Sequence, residues 1–246
     1  MADRYAVVTG AGTGVGRAAA QALLADGWTV AVFGRRLAPL EETIAGQARG
    51  IAITADVGDR AQVEEAFAQV KQRFGRLDLL FNNAGRGAPA VDFDELSHED
   101  WTGVVAANLN GTFYCAQAAY RIMKHQSPQG GRIINNGSIS AHVPRPGAAA
   151  YTATKHAVTG LTKQIALDGR KHDITCGQID IGNAATPMTE RMVKGVPQPD
   201  GSMMVEPRMD VAHVGRAVAH MAALPLDANI PFMTIMATKM PFLGRG

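Results

Sequence analysis

The strongest constraint on this chain lies in its first sixteen residues. The apolar run Tyr5-Ala6-Val7-Val8 passes into Thr9-Gly10-Ala11-Gly12-Thr13-Gly14-Val15-Gly16, and an alanine-rich helical stretch from Arg17 to Ala25 follows at once. A buried strand that must turn directly into a helix needs residues without a Cβ at the turn. Gly10 and Gly12 allow the tight turn, and Gly14 lets the backbone approach a pyrophosphate. Gly16 lets helix and strand pack closely, and Thr13 and Val15 complete the loop around an anion held at the helix N-terminus. A merely tight turn is the bland alternative; the position between a buried strand and a helix, at the head of the chain, argues against it.

The same rhythm continues downstream. Apolar runs near Thr29–Phe33, Ile51–Thr54, Leu77–Asn82, Arg132–Asn136, Ile174–Ile179 and Pro231–Met236 alternate with amphipathic segments. Val63, Ala66, Phe67, Val70 and Phe74 form one helical face, and Val211, Val214, Val218 and Met221 form another. This is the pattern of an α/β chain with helices on both faces of a parallel sheet. With 246 residues, 46% of them hydrophobic and 19% charged, the chain suits a single domain over residues 1–246, and no linker divides it. Only Pro187 to Pro207 breaks the alternation, with Gly195, Pro197, Pro199, Gly201 and several methionines between its ends; it reads as a substrate lid, the alternative being a floppy surface insertion.

Several function classes are excluded at this level. No run reaches the roughly 18 apolar residues of a membrane span, and the N-terminus lacks signal-peptide anatomy, so a soluble, cytoplasmic protein is expected. A net charge of +2 without a basic cluster gives no reason to expect nucleic acid or a membrane surface as partner. Cys115 and Cys176 stand 61 residues apart and read as reduced, buried thiols; no metal site is expected.

Two further stretches carry chemistry. After the second strand comes Phe33-Gly34-Arg35-Arg36, with no carboxylate to accept a hydrogen bond from a ribose 2′-OH. Guanidinium forks suit phosphate oxygens, so Arg35, helped by Arg36, favours NADP(H) over NAD(H), unless both arginines are simply solvated. After the fifth strand comes Ser138, and 13 residues later Tyr151-Thr152-Ala153-Thr154-Lys155. Four residues advance about 400° on a helix, so Tyr151 and Lys155 share one face. Bringing a phenol of pKa about 10 into action near neutral pH takes about 4 kcal/mol, which one ammonium at about 4 Å supplies at an effective dielectric of about 20. Ser138 can then hydrogen-bond a carbonyl or alkoxide oxygen while Tyr151 exchanges its proton.

The glycine loop, Asn82-Asn83-Ala84-Gly85, Asn108, Ser138 and the Tyr151/Lys155 pair together resemble the short-chain dehydrogenase/reductase family, in its single-domain form of about 250 residues. The resemblance implies a doubly wound Rossmann fold with seven parallel strands in the order 3-2-1-4-5-6-7. It also implies hydride transfer between a nicotinamide and a small carbonyl or alcohol substrate, with NADPH-linked reduction favoured, in a homo-oligomer, dimer or tetramer. By the same resemblance Ser138 orients the substrate oxygen, Tyr151 is the acid/base, and Lys155 lowers its pKa and binds the nicotinamide ribose. Asn108 kinks a helix and holds a water leading to Lys155. Asp56 and Val57 contact adenine, and Asn83, Ala84 and Gly85 run beside the cofactor. Ile181, Gly182, Ala184 and Thr186 match the segment that meets the carboxamide, with Ile181 standing where proline is usual. Thr13 is not basic, so the preference for the phosphorylated cofactor rests on Arg35 and Arg36.

For the substrate itself, Ser140, His142 and Arg145 are the polar candidates, while Met188 and Met192 offer a soft apolar wall. Two rivals are kept in view. A nucleotide-sugar epimerase would need a sugar-binding domain and a different glycine spacing. A non-catalytic NADP-binding sensor on the same fold would not need the serine, tyrosine and lysine together.

Overall fold

The computed structural model describes residues 3–243. Six parallel strands are laid down in turn: β1 Tyr5–Thr9, β2 Thr29–Gly34, β3 Gly50–Thr54, β4 Leu79–Asn82, β5 Gly131–Asn136 and β6 Ile174–Gly182. A two-residue hairpin, β7 Val196–Pro197 with β8 Met203–Met204, precedes the last strand, β9 Phe232–Met236. The sheet order is β3-β2-β1-β4-β5-β6-β9, which is the expected order with β9 as the seventh member. Helices α1 Gly14–Ala25, α2 Leu37–Ile44, α3 Arg60–Phe74, α4 His98–Val105, α5 Gly111–His125, α6 Ala149–Gly169 and α7 Val211–Ala223 cover the sheet. The fold is the Rossmann-like α/β arrangement.

Burial follows the sequence pattern. The inner strands are apolar on both sides, as Ala6, Val7 and Val8 in β1 and Leu79, Leu80 and Phe81 in β4 show, all fully buried. One face carries a core built from α1 and α7, the other a core built from α3 and α5. Cys115 and Cys176 lie in the second core as free thiols, and burial pushes both thiols up in pKa.

Three departures have local causes. β4 begins at Leu79 and not at Leu77, because the Gln126 side chain takes both backbone groups of Leu77: its Oε1 accepts from Leu77 N (2.8 Å) and its Nε2 donates to Leu77 O (2.9 Å). β6 continues to Gly182 because β9 pairs with it as far as Met236. The stretch 187–207 is not featureless: Thr186 caps a 3₁₀ turn over Pro187–Val193, and the β7/β8 hairpin follows.

The two chain directions out of β1 and β4 diverge, so the crevice at their C-terminal ends is the topological switch point where doubly wound sheets take ligands. The α1/α7 contact buttresses it from behind. A Cβ on Gly215 of α7 would sit 2.6 Å from the Ala18 carbonyl oxygen of α1. Alanine would gain about 1 kcal/mol of helix propensity there, against a backbone clash worth about 1–3 kcal/mol. Gly215→Ala is therefore expected to lower the urea midpoint; an unchanged or higher midpoint would show that the two helices separate freely.

Candidate active site

Two cavities adjoin at the C-terminal ends of the strands. The larger, about 640 Å³, runs from the glycine loop past Arg35, Arg36, Asp56, Val57 and the segment Asn83, Ala84, Gly85 to Lys155 and Thr186. The smaller, about 270 Å³, is walled by Ser138, Ser140, Arg145, Ile181, Met188 and Met192, among others. Tyr151 and Met188 belong to both walls.

The glycine loop is shaped as a cradle. Gly10 (φ 63°) and Gly14 (φ 54°) adopt the left-handed conformation that side chains disfavour. A Cβ on Gly10 would stand 2.8 Å from Ala84 Cα, and one on Gly14 3.1 Å from the Thr186 methyl. Gly12 and Thr13 line the groove, and Thr13, the residue before α1, makes no side-chain cap, so the first-turn N–H groups of α1 are left to a ligand. Gly16 does not reach the groove; its lack of a Cβ admits Gly10 O and Asn83 Nδ2, which would lie 2.3 and 2.5 Å from one. The Asn83 side chain is structural, donating to Thr9 O (2.9 Å) and accepting from Asn136 Nδ2 (2.8 Å). Arg17 pins the loop from outside through Gly12 O (2.6 Å) and Thr43 Oγ1 (3.1 Å). Arg35 and Arg36 are exposed on the groove wall, and neither makes an ion pair among the described residues. A dinucleotide with a 2′-phosphate fits this donor set: left-handed glycines, a helix N-terminus, and two cations with no carboxylate at the end of β2.

The chemical residues converge from three elements. Ser138 ends β5 and caps the short turn Ile139–Ala141, its Oγ accepting from Ser140 N at 3.1 Å. Tyr151 lies in the first turn of α6, half-buried. Lys155 is buried one turn along; its Nζ donates to Asn136 O (2.6 Å) and stands 5.5 Å from the Tyr151 ring centroid. Asn108 sits in a π turn, Ala106–Asn110, that joins α4 to α5. Its Oδ1 accepts from Arg86 N (2.8 Å), and its Nδ2 donates to Arg86 O (3.0 Å) and Thr154 Oγ1 (3.3 Å), tying this turn to α6.

Burial raises the Tyr151 pKa, with the Ser138 hydrogen bond and the charges of Arg191 and Arg145 opposing it and Asp180 adding to it. The Lys155 side chain is buried beside the same ring. The ammonium is itself desolvated, which brings its pKa down to about 8 against an opposing push from Asp180, and it faces the ring and the Asn136 carbonyl. Burial thus favours the protonated phenol at neutral pH.

Two buried carboxylates organise the substrate side. Asp180, fully buried in β6, accepts from Ser138 N (2.9 Å) and Gln178 Nε2 (2.8 Å) through Oδ1, and its Oδ2 lies 2.8 Å from His142 Nε2. His142 therefore turns to Asp180 and does not line the substrate cavity, contrary to expectation. Glu206, also buried, accepts from both terminal nitrogens of Arg145 at 3.0 and 2.6 Å and from Asn183 Nδ2 at 2.8 Å. Arg145 lines the cavity as expected, but with its fork already engaged. Of the expected carboxamide segment, Thr186 lines the large groove and Ile181 the small cavity, while Gly182 and Ala184 are buried behind them and line neither.

Sequence reasoning missed Asp180, Asn136, Arg17 and Arg86. For Asp180 the signal was present: an acid inside the otherwise uncharged strand Gly177-Gln178-Ile179-Asp180-Ile181 must be buried and partnered. Among the described residues no group of His, Cys, Asp and Glu could hold a metal ion, and no helix is long and apolar enough to cross a membrane.

Comparison with known proteins agrees with this geometry. A family model, short chain dehydrogenase, matches residues 4–196. The chain is 38% identical over 196 residues to 3beta-hydroxysteroid dehydrogenase of Mediterraneibacter gnavus, covering 77% of this chain and 69% of that relative. It is 39% identical over 200 residues to gluconate 5-dehydrogenase of Gluconobacter oxydans, covering 78% and 76%. Among solved structures, the closed form of serine dehydrogenase complexed with NADP+ superposes with a TM-score of 0.86 at 26% identity, covering 98% of both chains. The chain belongs to the short chain dehydrogenase family and is an oxidoreductase.

Proposed function

We propose that this enzyme reduces a small ketone or aldehyde to an alcohol with NADPH, using Ser138, Tyr151 and Lys155, with Asn108 supporting the helix that carries the last two. One observation carries the proposal: Tyr151 lines both the nucleotide groove and the substrate cavity, and its burial favours the protonated phenol.

Bound in the groove, the nicotinamide coenzyme supplies the hydride. The chain does the rest. The Ser138 hydroxyl donates to the substrate oxygen, and Asp180 fixes the serine by holding its backbone N–H. Tyr151 passes its phenolic proton to that oxygen as the alcohol forms. Lys155, positively charged at neutral pH, stabilises the phenolate that remains and keeps Asn136 in place through its carbonyl. Arg35 and Arg36 hold the 2′-phosphate, and Asp56 and Val57 flank the adenine end of the groove. The segment from Pro187 to Pro207 closes over the substrate.

Three outcomes test the reading. Tyr151→Phe should lower turnover of a carbonyl substrate by roughly 10²–10⁴-fold, the usual worth of a positioned acid, while NADPH binding measured by fluorescence stays near wild type. A variant with full turnover would remove Tyr151 from the chemistry. Arg35→Asp should weaken NADPH relative to NADH by at least 10-fold, since charge-assisted hydrogen bonds are worth about 1.5–3 kcal/mol; equal KM ratios in variant and wild type would refute the phosphate assignment. The pH dependence has a definite sign. Reduction requires a protonated phenol and a charged amine, and the amine loses its charge as pH rises through about 8, so kcat/KM for reduction should fall above that pH. A reduction rate that climbs from pH 7 to 9 would contradict it.

A further inference from the structure

The substrate cavity has two cations on its wall, and they differ in circumstance. Arg191 is exposed on the 3₁₀ turn at the cavity mouth, where it keeps its water, although its charge, like that of Arg145, reaches Tyr151. Arg145 is the inward one, its side chain only 13% exposed. Both of its terminal nitrogens are engaged by Glu206, and one also reaches Asn183 Oδ1 at 3.3 Å.

Glu206 is built in with unusual thoroughness. Its side chain has no solvent exposure. Asn183 donates to it from a left-handed backbone position (φ 48°), and Gln198 Nε2 approaches its other oxygen at 3.3 Å. Its own backbone N–H donates to Met192 O at 3.1 Å, joining it to the segment that lines the cavity. Burial alone would raise its pKa, but hydrogen bonds from Arg145 and Asn183 and the Arg145 charge outweigh that and hold it below the usual carboxylate range, so it is ionised at neutral pH.

We infer that Glu206 is a specificity-determining residue: by occupying Arg145 it leaves the cavity without a desolvated cation to receive an anion, and so selects uncharged carbonyl substrates with a compact apolar body. The inference rests on the reductase reading for its substrate type, and on geometry alone for its charge preference. A carboxylate entering this cavity must give up water and finds Arg145 already bound to an acid in ideal bidentate geometry. It also meets Ile139, Ile181 and Met192, which reward apolar surface. The volume of about 270 Å³ lies at the small end for ligand sites, enough for one ring and a short substituent.

The test compares 4-oxocyclohexanecarboxylate with its methyl ester, which differ in charge and little in shape. Wild-type enzyme with NADPH should prefer the ester by at least 10-fold in kcat/KM. Glu206→Gln, which keeps the shape and removes the charge, should raise the acid-to-ester ratio at least 10-fold by releasing Arg145. An acid used as well as the ester by wild type, or a ratio unmoved in a folded variant, would overturn the inference. The wild-type comparison decides by itself if the variant does not fold. Calorimetric binding of the two compounds to the enzyme with NADP+ gives the same preference without turnover. Ester bound more tightly but never reduced would defeat the reductase reading and leave the charge filter standing; acid bound more tightly would defeat the filter alone.

Discussion

The site depends on how closely the loops after β1 and β4 approach each other. The Thr9 hydroxyl accepts from both Asn83 N and Ala84 N at 2.9 Å, and the Asn83 side chain returns a bond to Thr9 O. This clamp works only if Gly10 and Gly16 carry no Cβ, because either would meet backbone or amide atoms within 3 Å. At the point where the sheet reverses its winding, the two loops are thus locked at a separation that opens a groove in front of them. Asn136 extends the lock to β5 by donating to Asn83 Oδ1, and the Asn136 carbonyl in turn receives Lys155. A chain of short polar contacts therefore connects the glycine loop to α6 without passing through solvent. Displacing any one member would move a reacting group by a fraction of an ångström, which is enough to matter for proton and hydride transfer.

Buried charge is used sparingly and always with partners. Asp180 and Glu206 are each removed from water, and each is surrounded by donors from several segments of the chain. Asp180 ties β6 to the serine turn, and Gly137 permits this, since a Cβ there would fall 2.0 Å from its Oδ1. Glu206 ties together the loop before α6, the end of β6 and the 187–207 segment. Removing one partner of such a cluster leaves the other charge unpaired in a poor solvent, a cost of about 3–5 kcal/mol, whereas apolar replacement of the whole cluster need cost nothing. Their value is therefore geometric. They hold three loops, which have little core of their own, in one arrangement around the substrate.

The scaffold was legible because periodicity and glycine placement act locally. A five-residue apolar run must be buried, and a glycine with positive φ beside a helix start has few alternatives, so strand order aside, the nucleotide half followed from short windows of sequence. Spacing placed Tyr151 and Lys155 on one helical face for the same reason. What escaped was long-range. Asp180 lies 42 residues from Ser138, and Glu206 lies 61 from Arg145. Nothing in a local window says that an acid on one strand will meet a histidine from the serine turn, so His142 read as a substrate ligand when it is a partner of Asp180. Arg145 was placed correctly on the cavity wall but taken as available, because its counter-ion belongs to a segment whose fold has no strong periodicity. The strand ends moved by a residue or two for reasons of the same kind, as with Gln126 capping Leu77 from 49 residues away.

The raised pKa of Tyr151 bears on when the catalytic acid is armed. A phenol made acidic in the resting molecule would lose its proton to water before substrate arrived, and reduction would then lack its acid. Here burial keeps the proton on Tyr151, and the same burial weakens the charge of Lys155, whose pKa of about 8 lies close to the working range. Lys155 Nζ stands 5.5 Å from the centre of the Tyr151 ring while donating to Asn136 O, so its charge lies within Coulomb range of the phenol. The two groups are held one helical turn apart in a medium of low dielectric, so a negative charge developing on the phenolic oxygen would find the ammonium at full electrostatic strength. In the proposed reaction Lys155 would stabilise the phenolate as it forms, which is the same electrostatic effect as opposing the rise in pKa that burial imposes on Tyr151.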